Sequence, residues 1–180
     1  MGNEYLQNAM ASFETYKGLA DRAVAQISDE QFFATLDAGS NSIAVIIKHV
    51  TGNLRSRWTN FLTADGEKPN RNRDAEFEMA DSASRSELMA AWEYGWACAF
   101  RELKALKPDD LTKTIYIRGE PHSVVKAIGR QLTHGAYHVG QIVLLAKHYA
   151  DGSWETLTVP RGKSEDLNAE MFSRQTGGSR

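Results

Sequence analysis

Apolar residues recur at helical spacing in four long stretches of this chain. From about Asn3 to Ile27, the residues Leu6, Met10, Phe13, Tyr16, Ala20, Val24 and Ile27 follow a 3.6-residue period, which Ser28-Asp29-Glu30 breaks. A second helix is expected after the turn Asp37-Ala38-Gly39-Ser40-Asn41, with Asn41 or Ser42 as its cap. It runs to about Thr63 and turns Ile43, Ile46, Ile47, Val50, Leu54, Trp58 and Phe61 inward. The third spans about Ser86 to Lys107, burying Leu88, Trp92, Gly95, Trp96, Ala99, Leu103 and Leu106, and Pro108 stops it. The fourth spans about Val124 to Tyr149 and ends at Asp151-Gly152.

The segments between these helices have other patterns. Asp65 to Ser84 is polar and long for a connection, a surface loop that is either mobile or placed at the mouth of a site. In Leu111–Ser123 the period becomes two, with Thr114, Tyr116 and Arg118 alternating with Ile115 and Ile117 before Gly119-Glu120-Pro121 turns the chain, so a short hairpin is expected before helix four. The tail from Ser153 holds the apolar anchors Trp154, Leu157 and Val159 and is otherwise expected to be extended. The fold class expected is all-α: a four-helix bundle with a long connection between helices two and three, as one domain over residues 1–170 with a frayed C-terminus at 171–180.

Composition narrows the function. A chain of 180 residues with 42% hydrophobic and 24% charged residues can bury one core without disulfides. The longest apolar runs, Ile43–Ile47 and Ile142–Ala146, are too short to cross a bilayer. The start, Met1-Gly2-Asn3-Glu4-Tyr5, has no secretory pattern, and Leu6 stands where a myristoylation signal needs Ser or Thr. The single Cys98 forbids an internal disulfide and suits a reducing compartment, so a cytoplasmic protein without membrane association is expected. A net charge of -2 argues against nucleic acid as a partner. The basic cluster Lys68–Arg73 reads as solvated surface.

The candidate chemistry lies in three of the five histidines. His134 and His138 are four residues apart, about 40° around a helix, so one ion can bridge their rings. Both border the apolar arc of helix four, and His49 borders that of helix two, beside a polar stripe of Asn53, Ser56, Arg57 and Asn60 that could line a pocket. Two imidazoles from one helix and a third from another would hold Zn²⁺, Ni²⁺ or Fe²⁺ with at least one position left for substrate. Gly135 occupies the place of the metalloprotease glutamate and so excludes that chemistry. His122 and His148 read as solvent-facing, Gly162-Lys163-Ser164 lacks the context of a phosphate-binding loop, and Cys98 has no activating neighbour. Gly129, Gly135 and Gly140 each weaken helix four, and close helix approach around the histidines is one reason to expect them.

The order Ile47-Lys48-His49-Val50, then Leu132-Thr133-His134-Gly135-Ala136-Tyr137-His138-Val139-Gly140-Gln141, resembles the DinB-like superfamily of metal-dependent bundles. The tail Leu157-Thr158-Val159-Pro160-Arg161-Gly162-Lys163-Ser164 is similar to the terminal motif of one bacterial branch of it. The resemblance implies a four-helix bundle, often a homodimer, with His49, His134 and His138 as ligands of a divalent metal. Its characterised relatives include bacillithiol S-transferases and a mycothiol-dependent maleylpyruvate isomerase. A small-molecule substrate and a low-molecular-weight thiol cosubstrate are therefore expected, with a metal-dependent hydrolase or a non-catalytic binding bundle as alternatives. An acidic thiol needs a cationic partner, for which Arg57, Arg161 and Lys163 are the candidates. The aromatic excess of helix three, Trp92, Tyr94, Trp96 and Phe100, exceeds one buried stripe and is consistent with a subunit interface.

Overall fold

Six α-helices and one two-stranded sheet make up the described part of the chain, residues 1–177 of a computed structural model. Four long helices, α1 (Gly2–Val24), α3 (Ile43–Trp58), α4 (Arg85–Ala105) and α5 (Val124–Ala150), surround one core. α3 packs on α4 and α1 on α5, while contacts between α3 and α5 and between α1 and α4 close the ring. No described helix is long and apolar enough to cross a membrane.

Helix starts follow the capping residues. Ser42, Ser84 and Ser123 each accept a hydrogen bond from the backbone N–H three residues on, at the first turns of α3, α4 and α5. Ser28-Asp29-Glu30, expected only as a break, instead starts the short α2 (Asp29–Phe33) through a reciprocal Ser28–Gln31 capping box, and this turn buries Phe32. α3 ends at Trp58 rather than near Thr63, because Thr59 is extended and Asn60 takes a positive φ of 52° that no helix continues.

The core is aromatic at its centre. Phe13 of α1 meets Trp58 of α3 and Trp96 of α4 edge-on, with ring centroids 5.6 and 6.0 Å apart. Each such pair adds about 0.5–1.5 kcal/mol beyond its area burial. Trp92 is fully buried and donates its indole N–H to Asp21 at 2.8 Å. Trp92 and Trp96 thus belong to this chain's own core, Phe100 packs partly against it, and Tyr94 is exposed beneath the Arg55 guanidinium. Gly95 lets α4 approach α3, since a Cβ there would lie 3.3 Å from the Thr51 carbonyl oxygen. The α5 glycines differ: a Cβ at Gly129, Gly135 or Gly140 would meet nothing within 4 Å, so the close approach expected there is absent.

The expected hairpin is present. β1 (Thr114–Ile117) pairs antiparallel with β2 (Glu120–Ser123) in the register Ile115 with His122 and Ile117 with Glu120. Arg118 and Gly119 turn it with positive φ of 58° and 74°. His122, expected to face solvent, is buried at 5% exposure with Nδ1 3.1 Å from the Glu120 carbonyl oxygen, because the alternation of β2 turns that position inward. The exposed position of His148 matches its reading.

The connection 59–84 is stapled to the hairpin rather than free. The Asp65 carboxylate accepts the backbone N–H groups of Glu67, Arg118 and Gly119 at 2.7–2.8 Å. The N–H groups of Glu67 and Gly119 foremost hold its carboxyl below the usual carboxylate range. Gly66 donates to the Tyr116 carbonyl, and Ser56 Oγ of α3 donates to the Gly66 carbonyl at 2.7 Å. Asp65→Ala is expected to cost about 1–3 kcal/mol after discounting for solvent screening. Urea unfolding checks the cost, and hydrogen exchange at the Arg118 and Gly119 amides should quicken in the same variant.

The tail departs most from expectation. Residues 154–157 dock on the end of α1, where Gln26 exchanges two hydrogen bonds with the Glu155 backbone and Arg22 donates to the Leu157 carbonyl. Beyond them, the residues expected to be extended form α6 (Ser164–Gly177), which takes in most of the end expected to fray. Glu165 and Asp166 lie in its first turn, and the Lys163–Asp166 and Glu170–Arg174 pairs support it. α6 is exposed along its described side chains and rests on local interactions, which leave no strong apolar period to read. Residues 178–180 of the expected frayed end lie outside the described residues.

Candidate metal centre

Near the middle of the ring, α3 and α5 bring three histidines together. His49 of α3 is 4% exposed, and one turn of α5 carries His134 and His138 on the side facing it. One ring nitrogen of each lies within 4.8 Å of the others, an arrangement that could hold a metal ion. His49 Nε2 and His134 Nε2 are 3.3 Å apart. Two imidazole ligands at about 2.0–2.1 Å on a tetrahedral ion would be separated by about 3.3–3.4 Å, so the spacing fits the group.

The opposite edges of the rings decide where the lone pairs point. His49 Nδ1 lies 2.8 Å from Glu76 Oε2, and a carboxylate there can only accept, so the proton belongs on Nδ1 and the Nε2 lone pair faces the other histidines. His138 Nδ1 lies 2.8 Å from Gln141 Oε1, which assigns that ring in the same way. His134 Nδ1 is buried without a partner among the described residues. Burial first, then the nearby His138 and His49 and the charges of Arg57 and Arg71, lower the His134 pKa to about 3. Burial and His49 also lower that of His138, against the opposing bond to Gln141. Near neutral pH these two imidazoles therefore offer lone pairs, the form a metal ion binds.

The Asp65–Ser84 connection supplies residues that no periodicity marks. A 3₁₀ turn at Asp74–Phe77 sets Glu76 on His49 and lays the Phe77 ring beside the imidazole at 4.8 Å between centroids. Arg71 clamps the other side of Glu76 through Nε to Oε1 at 2.8 Å and a second bond to Oε2 at 2.9 Å. Burial raises the Glu76 carboxyl, but the bonds from His49 and Arg71 and the charge of Arg71 together outweigh it and leave the group lowered. The basic cluster Lys68–Arg73 is thus not simply solvated surface, because the Arg71 side chain is only 5% exposed and ties Glu76 and Glu67 together. Gln141 could have been found from the sequence, since it follows His138 by three residues on one helix. Glu76 and Arg71 could not: Glu76 lies 27 residues beyond His49, and it and Arg71 both stand in a connection whose course packing sets.

A cleft of about 470 Å³ opens beside His49 and His134. Asn53 and Arg57 of α3 line it with Trp58, Phe61 and Tyr137. The Arg57 guanidinium donates to the Gly66 carbonyl and to Glu67 Oε2, so a loop already anchored on the hairpin holds it in place. Arg161 and Lys163 stand on the exposed turn before α6 and do not line the cleft, and Lys163 pairs with Asp166 at 2.9 Å. Cys98 is buried and free.

The family described as "Protein of unknown function (DUF1572)" has a model that matches residues 1–163. The chain belongs to this family. DUF1572 is a DinB-like family, in agreement with the resemblance carried by the histidine motifs, and its match covers all three histidines, the connection bearing Glu76 and the tail through Lys163. No curated protein matches this DUF1572 chain in sequence.

Proposed function

We propose that this chain is a divalent-metal enzyme of the four-helix-bundle type, working as a homodimer, that transfers a low-molecular-weight thiol to a small electrophile. The observation that carries the reading is the convergence of His49, His134 and His138 at the edge of an open cleft, with Glu76 and Gln141 directing two of the rings. A divalent ion held there, zinc, nickel or iron, supplies the positive charge that makes a thiol or a water nucleophilic near neutral pH. Glu76 and Gln141 hold the imidazoles in the tautomer that faces the centre. Trp58 and Phe61 keep one wall of the cleft apolar, and Arg57 offers a fixed cation for an acidic group of the thiol. The thiol loses its proton to solvent, and its sulfur forms the bond to the electrophilic carbon as the leaving group departs with the electron pair.

No carboxylate among the described residues lines the cleft, and Glu76 is committed to His49 and Arg71. This disfavours hydrolysis, which needs a base for water, relative to attack by a thiolate. The test is conjugation of 1-chloro-2,4-dinitrobenzene with several low-molecular-weight thiols. The expected result is turnover above the uncatalysed rate with zinc, nickel or ferrous ion, abolished by chelation and by His134→Ala. Turnover that survives complete metal removal overturns the mechanism, and metal binding without turnover of any thiol favours the non-catalytic binding bundle. Arg161→Ala in the same assay asks whether the tail contributes, with an unchanged rate excluding Arg161.

A further inference from the structure

We propose that the cleft beside the three histidines selects a small organic anion, an oxyanion on a flat apolar body, and that Arg118 and Arg130 at its rim read the charge. The inference rests on the reading above in that the anion would be the thiol or the electrophile brought to that site.

Five arginines line the cleft, Arg57, Arg71, Arg73, Arg118 and Arg130, and no acidic side chain among the described residues does. The whole chain carries a net charge of -2, so this sign is local. Behind the wall, Glu76 answers Arg71 and Asp74 lies 3.8 Å from Arg73, while one carboxylate serves the rest. Glu67 Oε2 alone receives Arg57, Arg71 and Arg118, at 2.9, 3.3 and 3.1 Å. Arg57 and Arg71 are buried and held in place, Arg57 by Nη1 on the Gly66 carbonyl and Glu67 and Arg71 by its bonds to Glu76 and Glu67, which makes them the fixed field of the site. Arg118 is different: its side chain is 54% exposed and uses only Nε on Glu67, leaving the outer donors without a partner among the described residues. Arg130 is exposed and its guanidinium makes no hydrogen bond or ion pair among the described residues.

Placement makes these charges more than a solvated surface. The Arg118 backbone is clamped at the hairpin tip by Asp65, so its Cα cannot drift from the cleft, and Arg130 projects from α5 one turn before His134. A guanidinium fork fits carboxylate or phosphate oxygens. Trp58, which lines the cleft at 1% exposure, has an indole N–H without a partner among the described residues. Trp58, Phe61 and Ile117 are buried and back an apolar wall, the Tyr137 ring, 63% exposed, offers a face for a flat apolar body, and the volume of about 470 Å³ suits a small ligand rather than a polymer.

The experiment is calorimetric titration of metal-free and zinc-loaded protein with 2-naphthoate, 2-naphthyl phosphate and the uncharged 2-naphthamide. Metal-free protein is expected to bind at least one of the anions about tenfold or more tighter than the amide. Whichever anion binds tighter identifies carboxylate or phosphate as the group read. Arg130→Gln and Arg118→Gln should each weaken the anion by about fivefold and leave the amide unchanged. Arg130→Gln breaks no hydrogen bond or ion pair among the described residues and should unfold at the wild-type temperature, which keeps the test free of folding effects. Equal binding of anions and amide, no binding of all three at about 5 mM, or anion binding indifferent to both substitutions overturns the proposal. Preference for anions by a protein that takes up no zinc would retain the proposal and defeat the metal reading, whereas zinc uptake without anion preference would do the reverse.

Discussion

Reconstituted protein is expected to retain about one divalent ion per chain at neutral pH, and His49→Ala, His134→Ala or His138→Ala to lower zinc affinity by about a hundredfold or more. Each substitution removes one of three nitrogens gathered within 4.8 Å. His122→Ala should leave affinity nearly unchanged, because that ring is turned to the Glu120 carbonyl and is not one of the three. Elemental analysis with competitive zinc titration checks both, on protein without a histidine tag. A wild type that holds no ion refutes the metal centre.

Acid should act on the same site in a defined direction. Coordination and protonation exclude one another, so zinc is expected to leave as the pH drops towards about 5. In metal-free protein the His134 pKa is lowered from the ordinary 6.5 to about 3. The unfolded chain then takes up a proton in this interval that the native chain refuses. The stability linked to His134 is therefore complete above about 6.5 and is lost as the pH falls from there towards about 3. Glu76, also lowered, adds to the loss below its unfolded value of about 4.3. Urea midpoints of metal-free protein measured from pH 7.5 downwards should fall continuously, and a midpoint that rises on acidification would contradict the assignment of a neutral His134.

The second large effect is expected from Gly52→Ala. In an isolated helix this change favours the helical state by about 1 kcal/mol. In the fold it should do the opposite, because a Cβ on Gly52 would lie 2.6 Å from Glu76 Cδ. The carboxylate end of a glutamate can move aside at little steric cost, but here it would leave both His49 and Arg71. Arg71, with a side chain 5% exposed, would keep its charge without the clamp on Glu76. Removing one partner of a buried pair costs about 3–5 kcal/mol, so the net loss should be about 2–4 kcal/mol. The freed His49 ring should also bind zinc about ten- to a hundredfold more weakly. Thermal unfolding and zinc titration of the variant decide the matter. A more stable protein with unaltered zinc affinity would mean that Glu76 does not orient His49.

Gly52 also marks the boundary between what sequence could determine and what it could not. A period of 3.6 and the i, i+4 offset map residue number directly onto a helix face. The chain alone therefore determined the four long helices, the inward stripe from Phe13 to Trp96, and the shared side of His134 and His138. The hairpin was legible for the same reason, its period of two being equally local. A helical edge position also put His49 within range of a second helix, but no offset within α3 says which helix faces it. Tertiary packing of α3 against α5 decided that. It likewise decided the course of residues 59–84, where Asp65 staples the hairpin tip and Glu76 drops into the space left by a missing Cβ. Those partners lie far along the chain and follow no repeat, because irregular backbone satisfies its polar groups wherever packing offers donors and acceptors. His122 is buried against expectation because the burial of a hairpin face depends on what packs over it, and α6 leaves no periodic signal because ion pairs and end charges, with no apolar stripe, support it.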